Sequence, residues 1–495
     1  MFRIFLALIG ATLVAATSHA QYVNGEAASS VLGQPNFNST FGAVPPTSAS
    51  QNRPSGVAVD PVSGSVFVSD QNNSRILRYE STTALQSGAA AIGVLGQPNF
   101  TSLTQATSQS GLRSPTGIWV DYNGRLWVAD TGNNRVVWFN NAALKANGAN
   151  ADGVIGQSNF TNQGSAVTST GMNAPTAVFT SQDGSLWVAD TGNNRVLRFA
   201  SAAALSSGAG AARVLGQSDF TSNSSGSGTT GMNQPTGVTT DTNLTLWVSD
   251  SFNNRILGFA NSSNLSNGAA ATRVLGQPDF NTTTDGTTAT KLYRPEGLVV
   301  DIVRNTLYVA DRANNRVLAF FLVNEKTNGA AADRVIGASS FTDGFGGSTS
   351  SKFNNPLAMA IGSGDQLYVA DRQNNRTLRF PPVSIPSLTG PGSVRVKPKK
   401  KKTLVYRLTN TNYPGSYRLT LPGSNKNFKV TATLNGAKIT SGGTTTTMGV
   451  SGVATLSITF KGKKAAKKPV TTKVTATSWL EPYRSSTVTT KVKVK

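Results

Sequence analysis

The 495-residue chain contains no cysteine and a single histidine, His19. The first absence excludes disulfides, thiolate metal sites and a lipid-linked cysteine. His19 falls within the leader argued below, so the mature chain has no imidazole base and lacks the commonest zinc ligand. Charged residues are sparse, at 14%, and glycine is abundant. Ser, Thr and Asn fill the stretches between apolar runs, as in a turn-rich β protein. Acids are nearly missing from one region: residues 391–495 hold 21 Lys and Arg against Glu481 alone, whereas residues 1–390 hold 24 against 22. Beyond residue 20 no run approaches the ~20 apolar residues of a membrane-spanning helix.

Residues 1–20 read as a signal peptide. Arg3 supplies the positive end, Ile4 to Ala16 is almost wholly apolar, and Ser18-His19-Ala20 is a small-x-small cleavage site. The mature chain is expected to begin at Gln21 and to be secreted or held at the cell surface. The alternative is an uncleaved anchor.

Repeats dominate from Val31 to Phe380. A signature begins at Pro54, Pro115, Pro175, Pro235, Pro295 and Pro356, spaced 60 or 61 residues apart. Each proline opens a short apolar run. A second run follows (Leu126 to Asp130 in the second copy), then a polar turn (Thr131 to Asn134), then a third run (Arg135 to Phe139). About 15 residues later a fourth run ends in Gly-Gln, as at Val154 to Gln157. Four short β-rich runs separated by turn chemistry describe one blade of a propeller. A short helix is expected only between the third and fourth runs, for example Ala202 to Leu205.

The wording of the repeat resembles the NHL family: Pro-Thr-Gly-Ile at Pro115 to Ile118, Leu-Trp-Val-Ala-Asp at Leu126 to Asp130, and Asn-Asn-Arg-Val at Asn133 to Val136. Ala177 and Ala358 depart from the usual glycine, and Ser74 from the second Asn. The resemblance implies a six-bladed β-propeller, with the turn after the second strand and the loop before each proline on one top face. The fourth-run motif starts at Val31, Val94, Val154, Val214, Val274 and Val335, one copy ahead of the first proline. Val31 to Gln34 is therefore expected to be the outer strand of the last blade, closing the ring.

The expected fold class is all-β, with a six-bladed propeller over residues 21–385, a linker at 386–393 and a small, basic Ig-like β-sandwich over 394–495. Strand alternation supports the last part: Val488, Thr490, Val492 and Val494 share one face, with Thr489, Lys491, Lys493 and Lys495 on the other.

Asp70, Asp130, Asp190, Asp250, Asp311 and Asp371 each precede an Arg by five and an Asn by three. A set repeated in every blade reads as structural; function is sought where the symmetry breaks. After the Asp come Thr131, Thr191 and Ser251, but Arg312 and Arg372. Before the proline come Ser114, Ala174 and Gln234, but Arg53 and Arg294; after it stands Glu296 where other blades carry small or neutral residues. Arg53, Arg294, Glu296, Arg312 and Arg372 thus form the candidate ligand site on adjoining blades, unless they are a solvated rim. Trp119 and Phe179, four residues after their prolines, are channel-facing candidates.

No catalytic residue, metal or cofactor is expected. Peptidyl-hydroxyglycine lyases of related architecture use metal and histidine in the channel, and no residue of the mature chain matches those histidines. A calcium-dependent lactonase-like or lyase-like enzyme remains the alternative to a non-enzymatic binding or scaffold protein. In that preferred reading the top face takes an extracellular protein, peptide or glycan, and the chain is monomeric. The last domain attaches to a cell-surface polyanion through Lys399, Lys400, Lys401, Lys402, Lys461, Lys463, Lys464, Lys467 and Lys468, with nucleic acid as a partner in vitro only.

Overall fold

A computed structural model describes Tyr22, residues 24–81, 85–362 and 364–380, and the strands between Ser387 and Val494. Residues 1–20, expected to be a signal peptide, lie outside the described residues. The chain divides into two compact units, Tyr22–Pro382 and Val383–Lys495. Among the described residues no helix is long and apolar enough to cross a membrane.

The first unit contains six four-stranded antiparallel sheets, each one blade. Blade one runs Pro54–Val59, Ser65–Asp70, Arg75–Ser81 and Gly93–Leu95 from the inside outwards. Blade six takes its three inner strands from Pro356–Ile361, Leu367–Asp371 and Arg376–Phe380 and its outer strand from Ser30–Leu32, with Val31 opposite Leu378. The closure expected from the motif offset is therefore present. Period-2 alternation makes it adhesive on both faces: Val31 packs into the cluster joining blades five and six, Leu32 into that joining blades six and one. Both are fully buried, a contribution of about 1.5–3 kcal/mol each.

The helix expected at Ala202 to Leu205 is absent. Single 3-10 turns stand at the corresponding place in other blades (Ala142–Leu144, Ser262–Asn264, Val323–Glu325) and also make the polar turn after each second strand. One turn is too short to leave a 3.6-residue period in sequence.

The Asp-Asn-Arg set ties each blade. In blade three, Asp190 Oδ2 accepts from Arg195 Nε at 2.7 Å and from Asn193 Nδ2 at 2.8 Å, while Oδ1 accepts from the Asn173 backbone N–H. Arg195 Nη1 donates to the Phe220 carbonyl, and Nη2 to those of Thr168 and Gly171. One guanidinium thus clamps the turn, the loop before the proline and the segment after the outer strand. Arg376 makes the same connection to the Phe37 carbonyl, so this network also closes the ring. Burial pushes the Asp371 carboxyl up to about 6 against the pull of Arg376; at neutral pH it is still ionised.

The second unit holds two five-stranded sheets. Leu404, Tyr406, Leu456, Ile458 and Phe460 are buried on one face of the sheet that contains them, while Val405 is half exposed. Ser387–Thr389, inside the stretch expected to be a linker, pairs with Lys401–Thr409 instead.

Candidate functional site

Where the inner strands begin, residues from all six blades line an opening of about 240 Å³. Close approach of neighbouring strands sets its size. A Cβ on Gly117 would stand 2.3 Å from the Thr176 carbonyl of the next blade, and one on Gly297 would stand 2.4 Å from that of Leu357. This explains the glycine two residues after the proline. Ala177 and Ala358, the two departures, are themselves part of the lining.

The wall is chemically divided. On the side of blades one to three it carries hydroxyls that are already satisfied. Ser55 Oγ donates to the Pro115 carbonyl at 3.0 Å, and Thr116 Oγ1 to that of Thr176 at 3.1 Å. On the side of blades five and six it is ionic. Arg312 Nη1 donates to Glu296 Oε1 at 2.9 Å and Nε to Asn355 Oδ1 at 3.2 Å. Burial raises the Glu296 carboxyl above its ordinary value, against the pull of Arg312.

Arg372 is the exception in this wall. Its side-chain partner is Gln71 Oε1 of blade one, at 3.2 Å, and its buried Nε has no partner. Burial lowers its pKa, the neighbouring charges of Arg53 and Arg312 lower it further, and the Glu296 carboxylate, already bonded to Arg312, offsets only part of this. A partly buried cation among like charges has an unmet demand for an anion.

Of the five expected site residues, Glu296, Arg312 and Arg372 line the opening. Arg53 and Arg294 do not. Both precede a proline with left-handed backbone (φ 52 and 50), their N–H groups bonded to Asn375 and Asn254 of the preceding blade. Arg53 is exposed. Arg294 lies over the Phe252 ring, 4.5 Å from its centre, a contact made across blades. Gln71 and Asn355 were missed, although each occupies a position at which another blade carries an arginine.

Trp119 stands beneath this opening, Nε1 bonded to Thr180 Oγ1 at 2.8 Å and its ring tilted against Phe179 at 4.6 Å. Among the described residues no three acids or histidines gather as a metal site would need. In the second unit Lys401, Lys402 and Lys461 are exposed on neighbouring strands; Lys399, Lys400, Lys463, Lys464, Lys467 and Lys468 lie outside the described residues.

The NHL repeat matches residues 52–79, 112–139 and 292–320, so the chain carries NHL repeats. None of the curated proteins matches it by sequence. Among solved structures it is similar to a streptogramin B lyase (11% identity, covering 69% of this chain and 95% of that one, TM-score 0.38). It is also similar to the calcium-binding protein regucalcin from Agrobacterium tumefaciens (11%, 71% and 93%, 0.39) and to a luciferin-regenerating enzyme (12%, 67% and 92%, 0.38). At such identities the likeness is one of fold alone. The expectation that the chain is not an enzyme is corrected to this extent: a lyase and a luciferin-regenerating enzyme are among the solved structures it resembles, and the fold itself speaks neither for nor against an activity.

Proposed function

We propose that this NHL-repeat chain is exported, takes a carboxylate or phosphate group of a peptide or glycan into the upper mouth of its propeller, and attaches to polyanions through its basic second unit. One observation carries the first reading: Arg372, whose Nε is buried without a partner beside two other arginines. Guanidinium forks suit carboxylate and phosphate. The opening is too narrow for a folded domain, so the group enters as a chain end or side group, and the satisfied hydroxyls opposite leave recognition to the arginines. Calorimetric titration with carboxylate-bearing peptides, uronates and sugar phosphates, followed by product analysis, tests both binding and turnover. Arg372→Met is expected to abolish the heat of binding; a variant that binds as the wild type does would overturn the assignment.

The second reading rests on register. Lys461 pairs with Lys401, placing two exposed like charges opposite each other on neighbouring strands, and its register partner on the other side is Lys429. Such pairs destabilise a sheet unless anions neutralise them. For a nucleic-acid probe, log affinity is expected to fall linearly with log salt. Neutralising Lys401, Lys402 and Lys461 flattens that slope; an unchanged slope would place binding elsewhere.

A further inference from the structure

We infer that the opposite mouth of the channel is a second, separate binding site, one for a small uncharged hydrocarbon-rich molecule. Where the inner strands end lies a cavity of about 310 Å³, lined chiefly by Val59, Pro61, Trp119, Val299, Ile302 and Ile361. Trp119 lines both this cavity and the upper opening, so it stands between the two. Its hydrogen bond to Thr180 holds the ring in place.

The symmetry of the repeat breaks here as it does above. The tip joining the first two strands exposes only polar residues in blade three (Gln182, Asp183) and blade four (Thr242, Asn243), where Leu244 is half-buried. Blades one, two and five instead expose Val62 (73%), Tyr122 (61%), Ile302 (42%) and Val303 (73%). The cavity is lined by blades five, six, one and two and by no residue of blades three or four. Apolar side chains left in water thus occur at the tips of three of the four blades that wall the cavity. A structural role for the tips would need them in every blade.

The charges at the rim set the ligand class. Arg304 donates to Asp301 and Asp365, both lining residues, so two carboxylates share one guanidinium. Neither acid is free to claim a cation fully, and their local excess of negative charge disfavours an anion. A concave apolar site of this size favours a small molecule over a flat protein surface.

The test uses the full-length protein and N-phenyl-1-naphthylamine, an uncharged dye whose fluorescence rises on leaving water. Saturable binding is expected, displaced by dodecanol and much less by dodecanoate. Ile302→Asp with Val303→Asp, both at an exposed tip, is expected to weaken dye binding about tenfold or more. Tyr122→Ser should weaken it to a smaller extent. Gln182→Asp on blade three and Arg372→Met in the upper mouth leave it unchanged. Absence of saturable binding, equal binding by the Ile302/Val303 variant, or displacement by dodecanoate as readily as by dodecanol would overturn the inference. Because Arg372→Met reads only the upper mouth, failure of one site is distinguishable from failure of the other.

Discussion

Two arginines of this propeller are expected to respond very unequally to the same substitution. Arg195→Met removes a fully buried guanidinium that bonds Asp190 and three carbonyls. Asp190 keeps only the donors of Asn173 and Asn193. Breaking a buried pair costs about 3–5 kcal/mol, and the three carbonyls add to this by about 1 kcal/mol each at most, with overlap. Against a total stability of about 5–15 kcal/mol, that is a third or more of the fold. Arg372→Met removes a cation with one long bond to Gln71, no partner at Nε and two arginines nearby; the expected change is within about 1 kcal/mol, of either sign. Urea unfolding followed by tryptophan emission measures both, since five of the six tryptophans (Trp119, Trp127, Trp138, Trp187 and Trp247) belong to the propeller. An Arg372→Met loss as large as that of Arg195→Met would make Arg372 a structural tie and remove the basis for the anion site. A loss below about 1 kcal/mol for Arg195→Met would refute the clamp.

Three further outcomes are expected. Replacing Val31 and Leu32 by Asp leaves blade six without an outer strand and lowers stability by at least about 3–6 kcal/mol from lost burial alone, read as a large drop in the urea midpoint. Affinity for a sulfate-bearing ligand, ionised throughout, rises as pH falls: Glu296 has a raised pKa, so it protonates early on acidification and releases Arg312. The same sign applies to stability, since a raised carboxyl contributes most below its unfolded value and loses that contribution as pH rises through the folded one; Glu296→Gln should flatten the binding profile. Finally, Trp127 and Trp247 donate Nε1–H to Asp121 and Asp241 at 3.1 Å, whereas Trp187 Nε1 is buried without an acceptor because blade three has Ser181 there. Ser181→Asp with Asp183→Asn is expected to raise stability by about 1 kcal/mol in thermal unfolding.

Repetition is what made the fold legible. Six copies of Asp-Asn-Arg could only be a shared tie, and the one-copy offset of the Gly-Gln motif exposed the partner of Ser30–Leu32. Glu296, Arg312 and Arg372 were legible as breaks in that repetition. Arg294 was misplaced because the ring that captures it, Phe252, belongs to the preceding blade, and no spacing along one repeat encodes such a contact. Gln71 was missed because a neutral side chain is not conspicuous until Arg372 is seen beside it. The lower cavity escaped for another reason: Tyr122 stands alone and Ile302 and Val303 are only a pair, all in turns, and such short apolar stretches carry no signal until geometry groups them.

The closure has a mechanical consequence. The last strand of the propeller before the second unit, Arg376–Phe380, is not an edge: it is bonded to Leu367–Asp371 on one side and to Ser30–Leu32 on the other. Tension entering through Val383 therefore loads two ladders together. Had the ring closed with a C-terminal outer strand, the same pull would peel an edge one bond at a time. Resistance to forced rupture is governed by the unfolding barrier rather than by equilibrium stability. The chain has placed its own beginning as the guard on the strand through which it would be pulled.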